Sequence, residues 1–354
     1  MCKNSRNPLH CILPPYITSK MVESSNKALS ESGLKNSFRS TRFRNDRKFF
    51  SSLGKEQRKI FSLTTASAAK LKPVIKIYNC GKKTSLPGTP MKAKSSDKSY
   101  KNVLTGVKET WNFYYSLFNR NSIDNSGMQL INSIHFDVKY DNAFWNGRQM
   151  VYGDGDGKYT SSFTSDIDVI AHELTHGVTE YEANLNYENQ SGALNESFSD
   201  VFGIMIKQKF LNQDVKQSNW LIGENVFIGK KYALRSMKKP GSAFKNHPLF
   251  GSDPQPATMD DFMNLPNTDE GDYGGVHYNS GIANFAFYVT AYNLGGYAWL
   301  KAGKIWYKAL TNMLKPESDF SEAKNATISS ASKIYGKGSL EEKAVIQGWK
   351  EAKV

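Results

Sequence analysis

The chain has 354 residues with 46 basic and 33 acidic side chains, 39% hydrophobic and 12% aromatic content, enough apolar material to bury a sizeable core, which excludes wholesale disorder. No run approaches the roughly 18 consecutive apolar residues of a membrane span, and residues 1–20 scatter Lys3, Arg6 and His10 among short apolar pieces where a secretory leader would have one hydrophobic stretch. The 3 cysteines, Cys2, Cys11 and Cys80, all fall early in the chain, so no disulfide framework holds its bulk.

Charge divides the sequence. Residues 1–70 hold 14 Lys/Arg against 4 Asp/Glu, a net of +10 out of +13 for the whole chain. Apolar residues are too thinly spaced between 24 and 59 for a core of their own. Residues 1–70 are therefore expected to be a separate unit that packs against the rest or is removed. Phe38, Phe43, Phe49 and Phe50 do interleave with the basic residues, as a nucleic-acid arm would have them. Charge runs are more commonly solvated faces, so no nucleic-acid partner is expected.

From 74 to 165 short apolar runs alternate with turn formers such as Asn146-Gly147, which predicts a β-rich lobe over 71–165. Within it Val107, Trp111, Tyr114, Tyr115 and Phe118 recur at helical spacing and predict a helix over 103–118. The Gly-Asp-Gly-Asp-Gly run at 153–157 lacks the closing acid of a calcium loop and is expected to form a tight turn. Beyond 165 the texture becomes helical, with helices expected over 166–181, 194–211, 281–293, 298–314, 320–334 and 340–352 in a lobe spanning 166–354.

The first of these helices carries His172-Glu173-Leu174-Thr175-His176. Histidines at i and i+4 share a helix face and can reach one metal, while Glu173 lies about 100° round and can take a proton from a water the metal polarises. Zinc catalysis wants three protein ligands and one open position. A metzincin would place its third histidine where this chain has Glu182. The run at 192–200 (GALNESFSD) instead opens a second apolar-periodic helix on which Glu196 and Asp200 stand i and i+4. Glu196 can complete a His2Glu set, and Asp200 can hydrogen-bond the spare nitrogen of a ligating imidazole.

With these motifs the chain resembles the thermolysin family of zinc metallopeptidases from about residue 77 onward. The resemblance implies an α+β, two-domain thermolysin-like zincin, with a β-rich N-terminal lobe, a mainly helical C-terminal lobe and the zinc helix in the cleft between them. It implies one catalytic zinc on His172, His176 and Glu196, with Asn195 and Asp200 behind the ligands. It implies that Tyr187 and His277 face the scissile carbonyl, His277 paired with Asp272. Asn142-Ala143-Phe144-Trp145 matches the family's edge strand for substrate, Phe163, Val169, Ile222 and Leu234 its primed-side pocket, and Arg235 its substrate-facing arginine. Cleavage of protein or peptide substrates before large hydrophobic residues is expected.

Two departures stand out. Of the family's double calcium site only Asp168 and Glu224 match; the other positions are Lys207, Asn219 and Leu221. An ammonium can neutralise the remaining carboxylates, so at most one calcium is expected. The front segment, with Pro14-Pro15-Tyr16, resembles the short precursor segment of the protealysin branch. The prolines are expected to hold it extended in the cleft as an intramolecular inhibitor, removed autocatalytically between about 61 and 74. Cys11 offers zinc a thiolate in one reading and a small side chain for packing in the other. A monomeric precursor is expected, cytoplasmic in synthesis for want of a recognisable leader, with no membrane partner and a non-classical route for any release. Two rivals differ in outcome: a zinc aminopeptidase, whose Gly-x-Met-Glu-Asn strand is missing here, and a homologue that binds proteins without cutting them.

Overall fold

A computed structural model describes residues 10–51, 72–229 and 232–354. The N-terminal segment contributes a two-residue strand β1 (His10–Cys11), a short helix α1 (Pro15–Val22) and a long helix α2 (Lys27–Ser51). Pro14 is the extended cap residue of α1 and Pro15 its first residue, a position that suits a ring with no N–H to donate. The extended stretch expected at Pro14-Pro15-Tyr16 thus lies upstream, at His10–Cys11; the backbone bends at Ile12 and Leu13, and Tyr16 is already helical.

A sheet of short strands follows: β2 (Ile75–Asn79), β3 (Thr89–Pro90), β4 (Leu130–Ile134), β5 (Ala143–Trp145) and β6 (Met150–Tyr152). Its order is β1-β5-β6-β4-β2-β3, with β2, β4 and β6 mutually parallel and the other pairs antiparallel. β1 therefore covers what would otherwise be an open edge at β5. Helix α3 (Lys98–Phe118) packs on this sheet; Asp97 caps it by accepting from Tyr100 N at 2.9 Å, and it ends at Asn119 in the left-handed region. The tight turn expected at 153–157 lies slightly later, over 156–160, with Asp156 Oδ1 accepting from the amides of Lys158, Tyr159 and Thr160.

The remainder is helical: α4 (Ile167–Tyr181), α5 (Asn189–Phe210), α6 (Asp272–Leu294), α7 (Ala302–Asn312), α8 (Phe320–Tyr335) and α9 (Leu340–Glu351), with a small hairpin of β7 (Leu221–Ile222) and β8 (Arg235–Ser236). The i, i+3, i+4 apolar positions anticipated in sequence bury as one continuous core, including Val107 and Trp111 of α3, Leu174 of α4, and Phe198 and Phe202 of α5. Gly203 lets α4 and α5 cross closely, because a Cβ there would sit 2.9 Å from the Asp168 carbonyl. That approach brings the two helices' polar residues within reach of each other. No described helix is long and apolar enough to cross a membrane.

Candidate active site

Helix α4 presents His172 and His176 to Glu196 on α5, all three fully buried. Their ligand atoms lie within 4.8 Å of one another, the one set among the described residues suited to a metal ion. The two Nε2 atoms are 2.9 Å apart, and each lies 3.4 Å from a Glu196 oxygen. Behind them, His172 Nδ1 meets Asp200 Oδ1 at 2.8 Å, while His176 Nδ1 meets Asn195 Oδ1 and Ser199 Oγ at 2.9 Å each. Acceptors at both Nδ1 atoms fix the proton there and turn the Nε2 lone pairs toward a common point. Glu196 Oε2 is buried and receives no hydrogen bond. Converging lone pairs and a buried carboxylate oxygen demand a cation, and the donor set matches zinc in kind and number.

Glu173 lies on the same helix, buried, its Oε2 accepting from Trp145 N on β5 at 3.0 Å. Tyr187, in the loop between α4 and α5, donates to Glu196 Oε1 and stands 3.1 Å from His277 Nε2. Burial and the Glu196 carboxylate push the Tyr187 hydroxyl well above its usual range, so it remains a donor. The helix expected over 281–293 begins earlier, at Asp272, so His277 lies within α6, just past a kink. Asp272, Tyr273, Gly274 and Gly275 all have positive φ there. At Gly274 a Cβ would also meet Asn189 Oδ1 at 2.3 Å, so that position admits only glycine. The reversal turns the Asp272 carboxylate back onto His277, which donates from N at 2.7 Å and from Nδ1 at 2.6 Å. Burial lowers the His277 pKa, but Asp272 and Glu196 outweigh it and the net shift is upward, favouring imidazolium.

Arg235 on β8 forks onto Asp200 from Nε at 2.7 Å and Nη2 at 2.8 Å. Burial alone would raise Asp200, but Arg235 and His172 hold it down at about 2. Phe163, Val169, Ile222 and Leu234 are all fully buried in the same core as Ile12 of the N-terminal segment. Ser199 and Asn284, which donates to Asp200 Oδ2 at 2.8 Å, went unremarked in the sequence. Ser199 stands three residues after Glu196, one helical turn on, and that spacing could have identified it; nothing local identifies Asn284.

The N-terminal segment lies in this site. β1 runs antiparallel to β5, pairing His10 with Trp145 and Cys11 with Phe144. Ile12 N donates to Ala143 O at 3.3 Å, Leu13 N to Asn142 Oδ1 at 3.0 Å, and Arg235 Nη1 to Ile12 O at 3.0 Å. The Cys11 carbonyl meets His277 Nε2 at 2.9 Å. The Cys11 side chain packs in a separate apolar cluster with Cys80, Phe136 and Phe144, while its backbone oxygen faces His277.

At the expected calcium position, Lys207 Nζ lies 3.0 Å from Asp168 Oδ2, 2.6 Å from Glu224 Oε2 and 3.0 Å from Leu221 O. Burial works against the ammonium, but Asp168 and Glu224 prevail and raise its pKa. The cut expected between 61 and 74 falls largely outside the described residues.

A two-lobed chain with a zinc-type His2Glu set, a buried glutamate and an imidazole–phenol pair across the cleft defines a metallopeptidase. Comparison with known proteins agrees. Residues 43–180 match the thermolysin metallopeptidase catalytic domain and 183–354 its alpha-helical domain. The chain is 46% identical over 282 residues to protease PrtS of Photorhabdus sp. (strain Az29), covering 78% of this chain and 75% of that one. It is 44% identical over 257 residues to bacillolysin of Bacillus subtilis (strain 168), covering 71% of this chain and 45% of that one. The precursor of protealysin, a metalloproteinase from Serratia proteamaculans, superposes with a TM-score of 0.83 at 38% identity, over 97% of this chain and 99% of that one. The chain belongs to the thermolysin family and is a metalloendopeptidase with its two-lobed fold.

Proposed function

We propose that this chain is the self-inhibited precursor of a zinc-dependent neutral endopeptidase that cuts before large hydrophobic residues. The observation that carries this reading is the hydrogen-bonded seating of residues 10–13 on β5, Asn142, Arg235 and His277: a peptide held there gains affinity from main-chain bonds, and the preference is supported by apolar residues buried in the same core as Ile12. The protealysin relative's description as a precursor points the same way.

His172, His176 and Glu196 would hold the zinc, which when bound supplies the Lewis acidity that activates water and polarises the scissile carbonyl. Glu173 takes the proton from the attacking water and passes it to the leaving amine. Protonated His277, held by Asp272, and the Tyr187 hydroxyl donate to the oxygen on which charge develops; loss of one such donor costs roughly 2.7–4 kcal/mol of barrier. Arg235 fixes the carbonyl one residue beyond the cut, and Asn142 the amide after that. An aminopeptidase would need a group to receive a free substrate amine, whereas here the segment runs on past the centre on both sides.

Calcium is not part of this reading. The Lys207 ammonium stands between Asp168 and Glu224 in place of a divalent ion, and a calcium there would have to displace a cation already neutralising both acids.

The test is digestion of casein by the wild-type chain and by Glu173→Gln, with and without a zinc chelator. The wild type should digest after a lag for processing, the chelator should stop it, and the variant should be slower by about 10²-fold or more. Undiminished digestion by the variant would overturn the reading.

A further inference from the structure

We propose that the bond between Cys11 and Ile12 is itself a substrate of this centre, cut by the chain that carries it, and that residues from 12 onward stay docked afterwards. The proposal rests on the reading above that the centre is a peptidase.

The hydrogen bonds fix which bond is in place. Leu13 N is held by Asn142 Oδ1, Ile12 O by Arg235 Nη1 and Ile12 N by Ala143 O. The next acceptor upstream, the Cys11 carbonyl, is the one set against His277 Nε2, which is itself 3.1 Å from the Tyr187 hydroxyl and 3.6 Å from Glu196 Oε1. The carbonyl carbon beside the metal-type ligands is therefore that of Cys11, and the nitrogen that would leave is that of Ile12. Ile12 is fully buried, so the leaving side carries the large apolar side chain the pocket is expected to prefer.

An inhibitory segment can evade hydrolysis by placing proline at the reacting nitrogen, which removes the N–H donor and fixes φ. Here the prolines come too late: Pro14 and Pro15 lie beyond Leu13, where they start α1. Cys11, whose carbonyl would react, is still in strand β1 and faces His277; the backbone bends only at Ile12 and Leu13, beyond that carbonyl. Hydrolysis consumes one water and no other reactant. Its oxygen joins the Cys11 carbonyl carbon, the C–N bond breaks, Cys11 leaves as a carboxylate, and the Ile12 nitrogen gains the proton that Glu173 carries.

Cutting there releases little. Upstream of the bond the described residues contribute only the two of β1. Downstream, Ile12, Leu13, Ile17, Met21 and Leu29 are buried in the common core. Ser32 Oγ and Asn36 Nδ2 each donate to Asp141 Oδ2 at 3.0 Å, and Lys35 pairs with Asp137 at 3.0 Å. These contacts survive the cut and keep the new Ile12 amine in the cleft, so the nicked chain remains inhibited until a second cut removes the segment.

N-terminal sequencing and intact mass are followed over time for the full wild-type, Glu173→Gln and Ile12→Asp chains, alongside casein digestion. The wild type should pass through a species beginning Ile12-Leu13-Pro14 before casein digestion starts. Glu173→Gln should keep residues 1–11, and Ile12→Asp should be nicked at least about tenfold more slowly. Casein digestion with an earliest new N-terminus anywhere else sinks the proposal and leaves the peptidase reading standing; no digestion and no nick sinks both. Loss of residues 1–11 at the same rate in Glu173→Gln means a foreign protease made the cut, and also overturns it. Should a variant misfold, a peptide of residues 7–17 given to the processed wild-type enzyme decides the matter: cleavage between Cys and Ile supports the proposal, and its absence contradicts it.

Discussion

Single side chains at this centre are oriented from behind, and their effects should separate by where they act. Asn195 and Ser199 share one nitrogen of His176, whereas Asp200 alone serves His172 while also neutralising buried Arg235. Asn195→Ala should therefore leave the fold intact and weaken zinc retention by about 10-fold, at the low end for such supporting groups, read by competition with a chelating dye. Asp200→Ala should fail differently. It strands the Arg235 guanidinium without its carboxylate, at a cost of roughly 3–5 kcal/mol, visible in denaturant unfolding before metal is considered. His277→Gln removes a donor to the developing oxyanion and should lower kcat by about 10²–10³ with KM little changed; an equal loss confined to KM would reassign His277 to ground-state binding.

At the scale of elements, two polar clusters staple helices to their neighbours. Lys207 on α5 ties Asp168 of α4 to Glu224 after β7. Lys207→Met should cost about 3–5 kcal/mol, and a calcium-selective chelator, with zinc supplied, should leave the wild-type melting temperature where it was. His135 links Asp97, the cap of α3, to Asp154 in the turn after β6. The Asp154 hydrogen bond leads in raising its pKa to about 9, against partial burial and with help from Asp97. Because the folded value exceeds the unfolded one of about 6.5, this stabilisation is complete below that value and disappears as pH rises through 9. The melting-temperature gap between wild type and His135→Gln should accordingly be wide at pH 6 and close by pH 9.5. The helices and the ligand set were legible because their signals are local: His172 and His176 are one turn apart, and Glu196 and Asp200 are another such pair. The Asp272–His277 contact was not readable from its spacing, since it needs positive φ at Asp272 and Tyr273. In the described part of helix α2 Leu29 is buried but Leu34 and Phe38 are exposed, and the helix is held there by Ser32, Lys35 and Asn36, so those residues gave no amphipathic signal.

For the molecule as a whole, the N-terminal segment is a sixth strand for the sheet, an occupant of the cleft and a helical strap over residues 137–141. Its register in the cleft was invisible in sequence because it is set by a contact between Leu13 and Asn142, 129 positions apart. The strap is electrostatic: Lys35 and Arg39 both reach Asp137. Reversing that charge with Asp137→Lys should shorten the lag before casein digestion, whereas an unchanged lag would show that the cleft contacts alone hold the segment. All of this presupposes one metal ion gripped between α4 and α5. Elemental analysis of the purified chain tests that most directly: about one zinc per wild-type molecule and less than a tenth of that in folded His172→Ala/His176→Ala protein is the expected result. Wild-type protein that digests casein without zinc, or zinc content unaltered in the double variant, would contradict it.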